Sequence, residues 1–394
     1  MAPLSRAGRG LVRRWIRRAM AGYWTHSGYM NWDSGLGFER WHQAKKLGLA
    51  QQALIGIAQT SRLQPGHEWG RWAKWMVDRG LRFYEQLPVK EAGLPDPVLF
   101  QLFTVPQTVG SALLAAARLE ANAARAVEAG LGRMPGERPP ALYAYDPDIG
   151  RLAITTPAYN TAIVAVNQRA FPYGGIELAR LFDGEQQVAA GIGGRAPAAF
   201  GLLVREPSGR RVFSSQTGRS RVDANALRLT RSPGGLGRGP GRVWAGPFRD
   251  LRARGTYSAG RFRAVTSHRF RPESIDTRWQ LTRLRGRARL NASVLLPSWG
   301  RDARVVAVLR DGSRVTVRAR PVALARVEHF EVISGRSGYA VEPLRRPPGA
   351  VARVMVPSRQ SSAPDPGPTL AVELARGASW RRASFAVRIV VARR

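Results

Sequence analysis

The chain has 394 residues, 44% of them hydrophobic, no cysteine and a formal net charge of +35. That length suffices for two or three domains with at least one sizeable core, and the hydrophobic share excludes wholesale disorder. Without cysteine there are no disulfides, thiolate metal ligands or cysteine nucleophiles. No run approaches the roughly eighteen apolar residues that a membrane-spanning helix needs.

So positive a field attracts polyanions: acidic polysaccharide, nucleic acid or anionic lipid. The first 140 residues carry 19 basic and 10 acidic side chains and the remainder 43 and 17, so the excess sits mainly in the later part. Only four of the 62 basic residues are lysine.

Six arginines, Arg6, Arg9, Arg13, Arg14, Arg17 and Arg18, interrupt the apolar positions of residues 1–20. This spacing predicts a basic amphipathic helix with Leu11, Trp15 and Ile16 on one side. It reads either as a polyanion- or membrane-surface helix or as a docked helix with a solvated face. The uninterrupted apolar stretch of a secretory signal is absent. After a loop over 29–37, Leu47, Ala50, Leu54 and Ile57 recur at helical spacing. Pro65-Gly66 breaks that element, and Trp69, Trp72, Met76, Phe83 and Leu87 form the stripe of a second helix. A third, alanine-rich helix runs over 107–131, with Leu113, Ala117, Leu119, Ala124 and Val127 as contacts. Short Pro/Gly connections make this helical-hairpin material.

Residues 134–140, rich in proline and glycine, form the clearest linker. Beyond them the hydrophobic period changes from 3.6 to 2. In 261–271, Phe262, Ala264, Thr266, His268 and Phe270 fall on one face, with Arg261, Arg263, Arg269 and Arg271 on the other. That pattern predicts a half-buried strand with an arginine-lined exposed face. Asp311-Gly312 between two β-branched runs predicts a hairpin. Turns are expected at 182–184 and 207–209, and loops over 231–242 and 357–368. The glycine-rich 231–242 lacks the Gly-Lys-Ser/Thr ending of a phosphate loop, and Gly191, Gly193 and Gly194 have no βαβ unit around them. The fold class read here is α+β and multidomain: a helical domain over 1–133, a linker over 134–140, and an antiparallel β-sandwich over 141–394. A smaller C-terminal β subdomain is expected from about 320.

Two groups of residues could carry chemistry. The first joins Tyr29, Asn31, Trp32 and Asp33 to Arg40, Trp41 and His42, in the third of the chain that holds seven of its eleven tryptophans. Flat aromatic faces suit sugar rings, and the polar neighbours suit hydroxyls and carboxylates. The same tryptophans equally suit a helical core, and Asp33 a helix N-cap. The second group is Tyr159 with Asn160, followed by Tyr173 before a Gly-Gly pair. Tyrosine can act as general acid or base, and asparagine can donate to a carboxylate that becomes enolate-like. The alternative is a strand and turn whose polar groups satisfy the backbone. His268 reads as a core histidine, His329 as a strand histidine, and His26 and His67 as surface or capping groups. No His-Glu-x-x-His spacing or Gly-x-Ser-x-Gly elbow occurs, and no motif calls for a metal or other cofactor.

The helical block at 29–42, the opening β segment from Leu142 to Gly175 and the long strand read over 255–270 resemble polysaccharide lyases that join an (α/α) toroid to a β-sandwich. These are the heparinase II/III-like and chondroitin or alginate lyase group. The resemblance implies β-elimination on a uronate-containing polysaccharide, outside the cytoplasm and without a cofactor. By that analogy Asn31 or Asn160 polarises the carboxylate, His42 or Tyr159 serves as base or acid, and Arg40 compensates charge. Tyr29, Trp32, Asp33, Trp41 and Tyr173 would line the substrate. The helical part spans about 130 residues, a partial toroid, and no histidine lies between His67 and His268. Hence a second reading: a non-catalytic carbohydrate-binding or cell-surface protein on the same scaffold. A nucleic-acid-binding protein ranks third, on charge alone, because no recognition motif accompanies the arginines.

Overall fold

A computed structural model describes residues 5–8, 141–147, 150–165, 175–183, 187–190, 200–215, 226–232, 244–300, 302–355 and 366–393. The helices expected between 47 and 131, the 134–140 linker and the aromatic block at 29–42 lie outside these residues. Of the basic segment at 1–20, a helical turn is described in which Ser5 Oγ accepts the Gly8 N–H at 3.1 Å. All other described residues lie in the compact unit that holds Pro140–Arg394.

Among the described residues, β1 (Leu142–Asp146), β2 (Arg151–Thr155), β3 (Asn160–Val164), β4 (Arg180–Phe182) and β5 (Gln187–Ala190) form a meander. Strands β6 (Gly201–Arg205) and β7 (Arg211–Ser214) make a hairpin, and β8 (Leu227–Arg231) and β9 (Trp244–Pro247) follow. Next come β10 (Leu251–Ala259), β11 (Phe262–Phe270), β12 (Ser274–Arg283), β13 (Leu290–Trp299), β14 (Arg304–Leu309) and β15 (Arg314–Thr316). A short β16 (Val322–Ala323) leads through a 3-10 turn at Leu324–Arg326 into β17 (Val327–Ser334), β18 (Ser337–Arg345), β19 (Val351–Met355), β20 (Pro366–Gly377) and β21 (Arg382–Arg393). Every pairing among them is antiparallel.

The strands build three sheets. Nine run in the order β15-β14-β17-β18-β21-β12-β11-β10-β8, six as β5-β4-β3-β2-β1-β9, and six as β16-β19-β20-β13-β6-β7. One continuous core draws side chains from all three. Phe213 of β7 packs its ring 5.8 Å from Tyr257 of β10 and 5.4 Å from Phe262 of β11. The Tyr339 hydroxyl of β18 donates to the Pro297 carbonyl of β13 at 2.6 Å, and the Tyr145 hydroxyl of β1 to the Leu227 carbonyl of β8 at 2.8 Å. The nine-stranded sheet is therefore one layer of a sandwich, covered on one face by the two six-stranded sheets.

Alternation explains why these residues form that layer. Phe262, Ala264, Thr266, His268 and Phe270 are all buried, while Arg263 and Arg269 reach solvent, as the period of two predicts. Ile275, Trp279 and Leu281 of β12 continue the inner face. Each large apolar side chain so buried contributes about 1.5–3 kcal/mol. At Gly255 of β10 the inner face has no room for a side chain: a Cβ there would lie 2.4 Å from that of Ile176.

The segment 175–179, between β3 and β4, crosses the sandwich interior and ties the sheets together. Glu177 Oε1 accepts hydrogen bonds from Ser215 Oγ at 2.6 Å and Thr266 Oγ1 at 2.7 Å, and Oε2 accepts one from Trp279 Nε1 at 2.8 Å. Beside it, His268 Nε2 lies 3.1 Å from the Ile176 carbonyl and Nδ1 3.1 Å from Thr277 Oγ1. A carbonyl can only accept, so Nε2 carries the proton and Nδ1 accepts from the threonine hydroxyl. His268 is thus the satisfied core histidine that its strand position implied.

The expected hairpin at Asp311-Gly312 is β14–β15, with Gly312 at φ +81° and Asp311 Oδ1 accepting the Ser313 N–H. The stretch 255–270, read as one long strand, is instead the β10–β11 hairpin, reversed at Gly260 with φ +56°. The expected loops are also shorter at their edges: Arg231 pairs with Arg252 in β8, and 366–368 open β20. The strands beyond 320 join sheets that earlier strands begin. Strand β20 lies beside β13, and β21 lies between β12 and β18, because each completes the hydrogen bonding of a sheet begun earlier.

Candidate functional site

The outer face of the nine-stranded sheet is polar and carries arginine on most of its strands. Register sorts these residues into cross-strand rows. One row joins Arg231, Arg252, Arg269, Asp276, Arg388 and Glu342. Asp250, at the entry to β10, receives Arg269 Nε at 2.7 Å and Nη2 at 3.3 Å, and also pairs with Arg252 and Arg231. Asp276 receives Arg271 at 2.6 Å and Arg388 at 2.9 Å. Partial burial by itself would raise the pKa of both carboxyls. The hydrogen bonds from Arg269 and Arg252, and from Arg388 and Arg271, outweigh it and hold them below the usual carboxylate range. These exposed pairs add little stability; their effect is to fix where the arginines point.

The next row has no acid. Arg228 of β8 lies opposite Arg254 of β10, then Ser267 of β11, Arg278 of β12, Ala386 of β21 and Arg345 of β18. Its four arginines are exposed, and none forms an ion pair with a described carboxylate at hydrogen-bonding distance. Strands lie about 4.8 Å apart, so Arg254 and Arg278, two strands apart, stand about 10 Å from one another. A groove of about 500 Å³ runs along this face, lined by Arg252, Arg254, Arg269, Arg278, Asp276 and Leu344. Leu344 is 49% exposed and offers the groove an apolar wall. The small residues Ser267 and Ala386 leave its floor low. The arrangement can hold a linear anion, with guanidiniums to grip carboxylate or sulfate groups and a short apolar surface for a ring face.

No family model and no curated protein matches the chain. Among solved structures, it is similar to a chondroitin AC lyase from Streptomyces coelicolor A3, with 11% identity and a TM-score of 0.47, over 98% of this chain and 49% of that one. It is also similar to a heparan sulfate lyase from Pedobacter heparinus, with 10% identity and a TM-score of 0.40, over 98% and 56%. A putative aldose 1-epimerase from Escherichia coli K12 matches at 9% identity and a TM-score of 0.32, over 64% of this chain and all of that one. The chain spans about half the length of each lyase.

Of the residues read from sequence as a site, Tyr29, Asn31, Trp32, Asp33, Arg40, Trp41, His42 and Tyr173 lie outside the described residues. Tyr159 and Asn160 are described, and both are fully enclosed. The Tyr159 hydroxyl donates to the Arg271 carbonyl at 2.7 Å, and burial, with Glu273 nearby, pushes its pKa well above the ordinary phenol value. Asn160 Oδ1 accepts from Thr155 Oγ1 at 2.5 Å across the β2–β3 pair. Neither side chain lines the arginine groove, and both do the structural work that a strand and turn require. The reading from sequence missed Arg228, Arg254, Arg278 and Arg345 as a set. The one available signal was the arginine face of 261–271, which lies on the same side of the sheet. Among the described residues no group of three His, Asp or Glu could hold a metal.

Proposed function

We propose that this chain is a polysaccharide lyase-like protein whose β unit holds an acidic, uronate-containing polysaccharide along the outer face of the nine-stranded sheet. The observation that carries the reading is the acid-free row of Arg228, Arg254, Arg278 and Arg345 beside a row whose arginines are pinned by Asp250 and Asp276. In the pinned row the guanidiniums already have counter-ions. In the free row an anionic polymer supplies them, and binding releases the polymer's own counter-ions. Cleavage by β-elimination is assigned, on the family resemblance, to Asn31, Arg40 and His42, since Tyr159 and Asn160 are enclosed in the sandwich. A polymer of this kind places the site of action outside the cytoplasm.

The test uses the full chain with heparan sulfate, chondroitin sulfate and mixed-sequence DNA over a range of salt concentrations. Replacing Arg254 and Arg278 together by glutamine should weaken polysaccharide binding about tenfold or more and lower the salt slope by about two. The double substitution of exposed Arg318 and Arg320, outside the row, removes the same charge and should change affinity less than about twofold. Equal losses in the two variants would reduce the site to net charge. Tighter, more salt-dependent binding to DNA would move the protein to the nucleic-acid class. In the same samples, absorbance of unsaturated uronate ends reports elimination, and His42→Ala should abolish it. Product formation that survives this change would remove His42 from the mechanism.

A further inference from the structure

A second arginine cluster lies at the opposite end of the same strands, where the β10–β11 turn, the end of β12 and the β20–β21 turn meet. Arg283 closes β12 and is only 2% exposed. Its backbone N–H donates to the Arg381 carbonyl at 2.9 Å, and the next residue, Leu284, donates to the Arg261 carbonyl at 2.8 Å. The guanidinium stacks 5.7 Å from the Trp380 ring, and Nη1 donates to the Ala378 carbonyl at 3.1 Å. The other edge, Nε with Nη2, has no hydrogen-bond partner although both atoms are buried. Arg261 points to the same place: its Nη1 and Arg283 Nη2 lie 3.1 and 3.7 Å from where a Cβ on Gly286 would stand. Arg285, Arg287 and Arg289 extend from the same exposed loop. The carboxylate that Arg261 senses, Glu206, is already held by Arg210.

An enclosed cation without an anion is costly. Burial first, and the Arg261 and Arg381 charges second, pull the Arg283 pKa below its usual value. The Nε/Nη2 edge is the fork with which guanidinium grips a two-oxygen anion. This protein uses that fork elsewhere, where Arg269 Nε and Nη2 both donate to Asp250. At Arg283 the fork is made and its acceptor is not among the described residues.

We infer that Arg283, Arg261 and Gly286 form a binding pocket for a single oxyanion of the sulfate or carboxylate class, distinct from the arginine row. Trp380 and Phe262, stacked with centroids 6.3 Å apart, form its apolar floor. A side chain at Gly286 would crowd both guanidiniums, so glycine leaves them free to shift toward an anion.

The experiment follows the thermal midpoint and the calorimetric affinity of the full chain with sodium sulfate, against sodium chloride at equal ionic strength. A sulfated chondroitin disaccharide forms the other arm. Sulfate should raise the midpoint where chloride does not, and the response should fall about tenfold or more in Arg283→Met and in Arg261→Gln. A like response to the disaccharide identifies the anion as a polymer substituent. A response to the inorganic ion alone identifies a free ion, and both outcomes support the pocket. Arg261 is partly exposed, so its variant keeps the test valid if Arg283→Met fails to fold. Equal effects of sulfate and chloride, or an undiminished sulfate response in Arg261→Gln, would overturn the inference. Since inorganic sulfate is the probe, the outcome does not depend on whether the arginine row binds polysaccharide.

Discussion

Glu177→Ala is expected to lower the unfolding free energy of the β unit by about 3–5 kcal/mol, read from the denaturation midpoint at neutral pH. The carboxylate accepts three hydrogen bonds inside the sandwich, from Ser215, Thr266 and Trp279. Alanine leaves all three donors enclosed without acceptors, and each orphan costs about 1–3 kcal/mol. Relaxation recovers part of that sum, which sets the range. Glu177→Gln separates shape from acceptor count. Its carbonyl can keep Ser215 and Thr266, but its amide then faces the Trp279 N–H donor to donor, for an expected loss of about 1–2 kcal/mol. An alanine variant within about 1 kcal/mol of the parent would show that the three sheets do not rely on this contact. Gly201, packed against Glu177, offers no side-chain acceptor, and a Cβ there would lie 2.4 Å from Glu177 Cγ.

The second large effect depends on pH and belongs to His268. Enclosure lowers its pKa from 6.5 to about 4, against a smaller opposing contribution from the hydrogen bond to the Ile176 carbonyl. The folded protein therefore keeps the ring neutral where the unfolded chain protonates it. The histidine's contribution is fully present above its unfolded pKa near 6.5, falls as the pH drops, and is lost by about pH 4. Its size is about 3 kcal/mol. Glu177 has the opposite dependence. Burial raises its pKa despite the three hydrogen bonds, so its contribution is complete below its unfolded value and declines as the pH rises through the folded one. The two trends overlap, and only a difference measurement isolates the histidine. The stability gap between the parent chain and His268→Gln should narrow by about 3 kcal/mol between pH 7 and pH 4, by urea titration at each pH. A gap that stays constant would mean that His268 titrates as it does in the unfolded chain.

How far these features could be read in advance depended on whether a strand has two different faces. Strand β11 has one face in the core and one in water, so its alternation and its arginine face were visible in the residues themselves. Strands β1, β2 and β13 are buried along nearly their whole length. Their period is erased, and they read as unassigned β material. The β10–β11 reversal was missed because Ala259-Gly260-Arg261 carries only one turn residue, against the four prolines and glycines that marked the linker at 134–140. Tyr159 and Asn160 attracted attention as a polar pair, yet nothing in the local sequence shows that their partners are Arg271 and Thr155. The arginine row is harder still. Arg228 and Arg345 share it only because six strands from distant parts of the chain pair in one register. A shift of one residue in β12 would put Arg278 inside and Trp279 outside. Glu177 and Arg283 were not singled out at all, because a single acid or base acquires meaning only from what encloses it.

The position of β21 has a consequence for how the chain reaches its native state. Residues 382–393 are the fifth of nine strands, flanked by β12 on one side and β18 on the other. Until that segment emerges from the ribosome, the large sheet exists at most as two halves, each with an unpaired inner edge. One half carries β12, β11, β10 and β8, which are sequence-local hairpins able to form early. The whole layer nonetheless waits for contacts more than a hundred residues apart, the topology that gives slow folding. Both open edges are sticky in the interval, and they become safe from edge-to-edge joining only when β21 fills the gap between them.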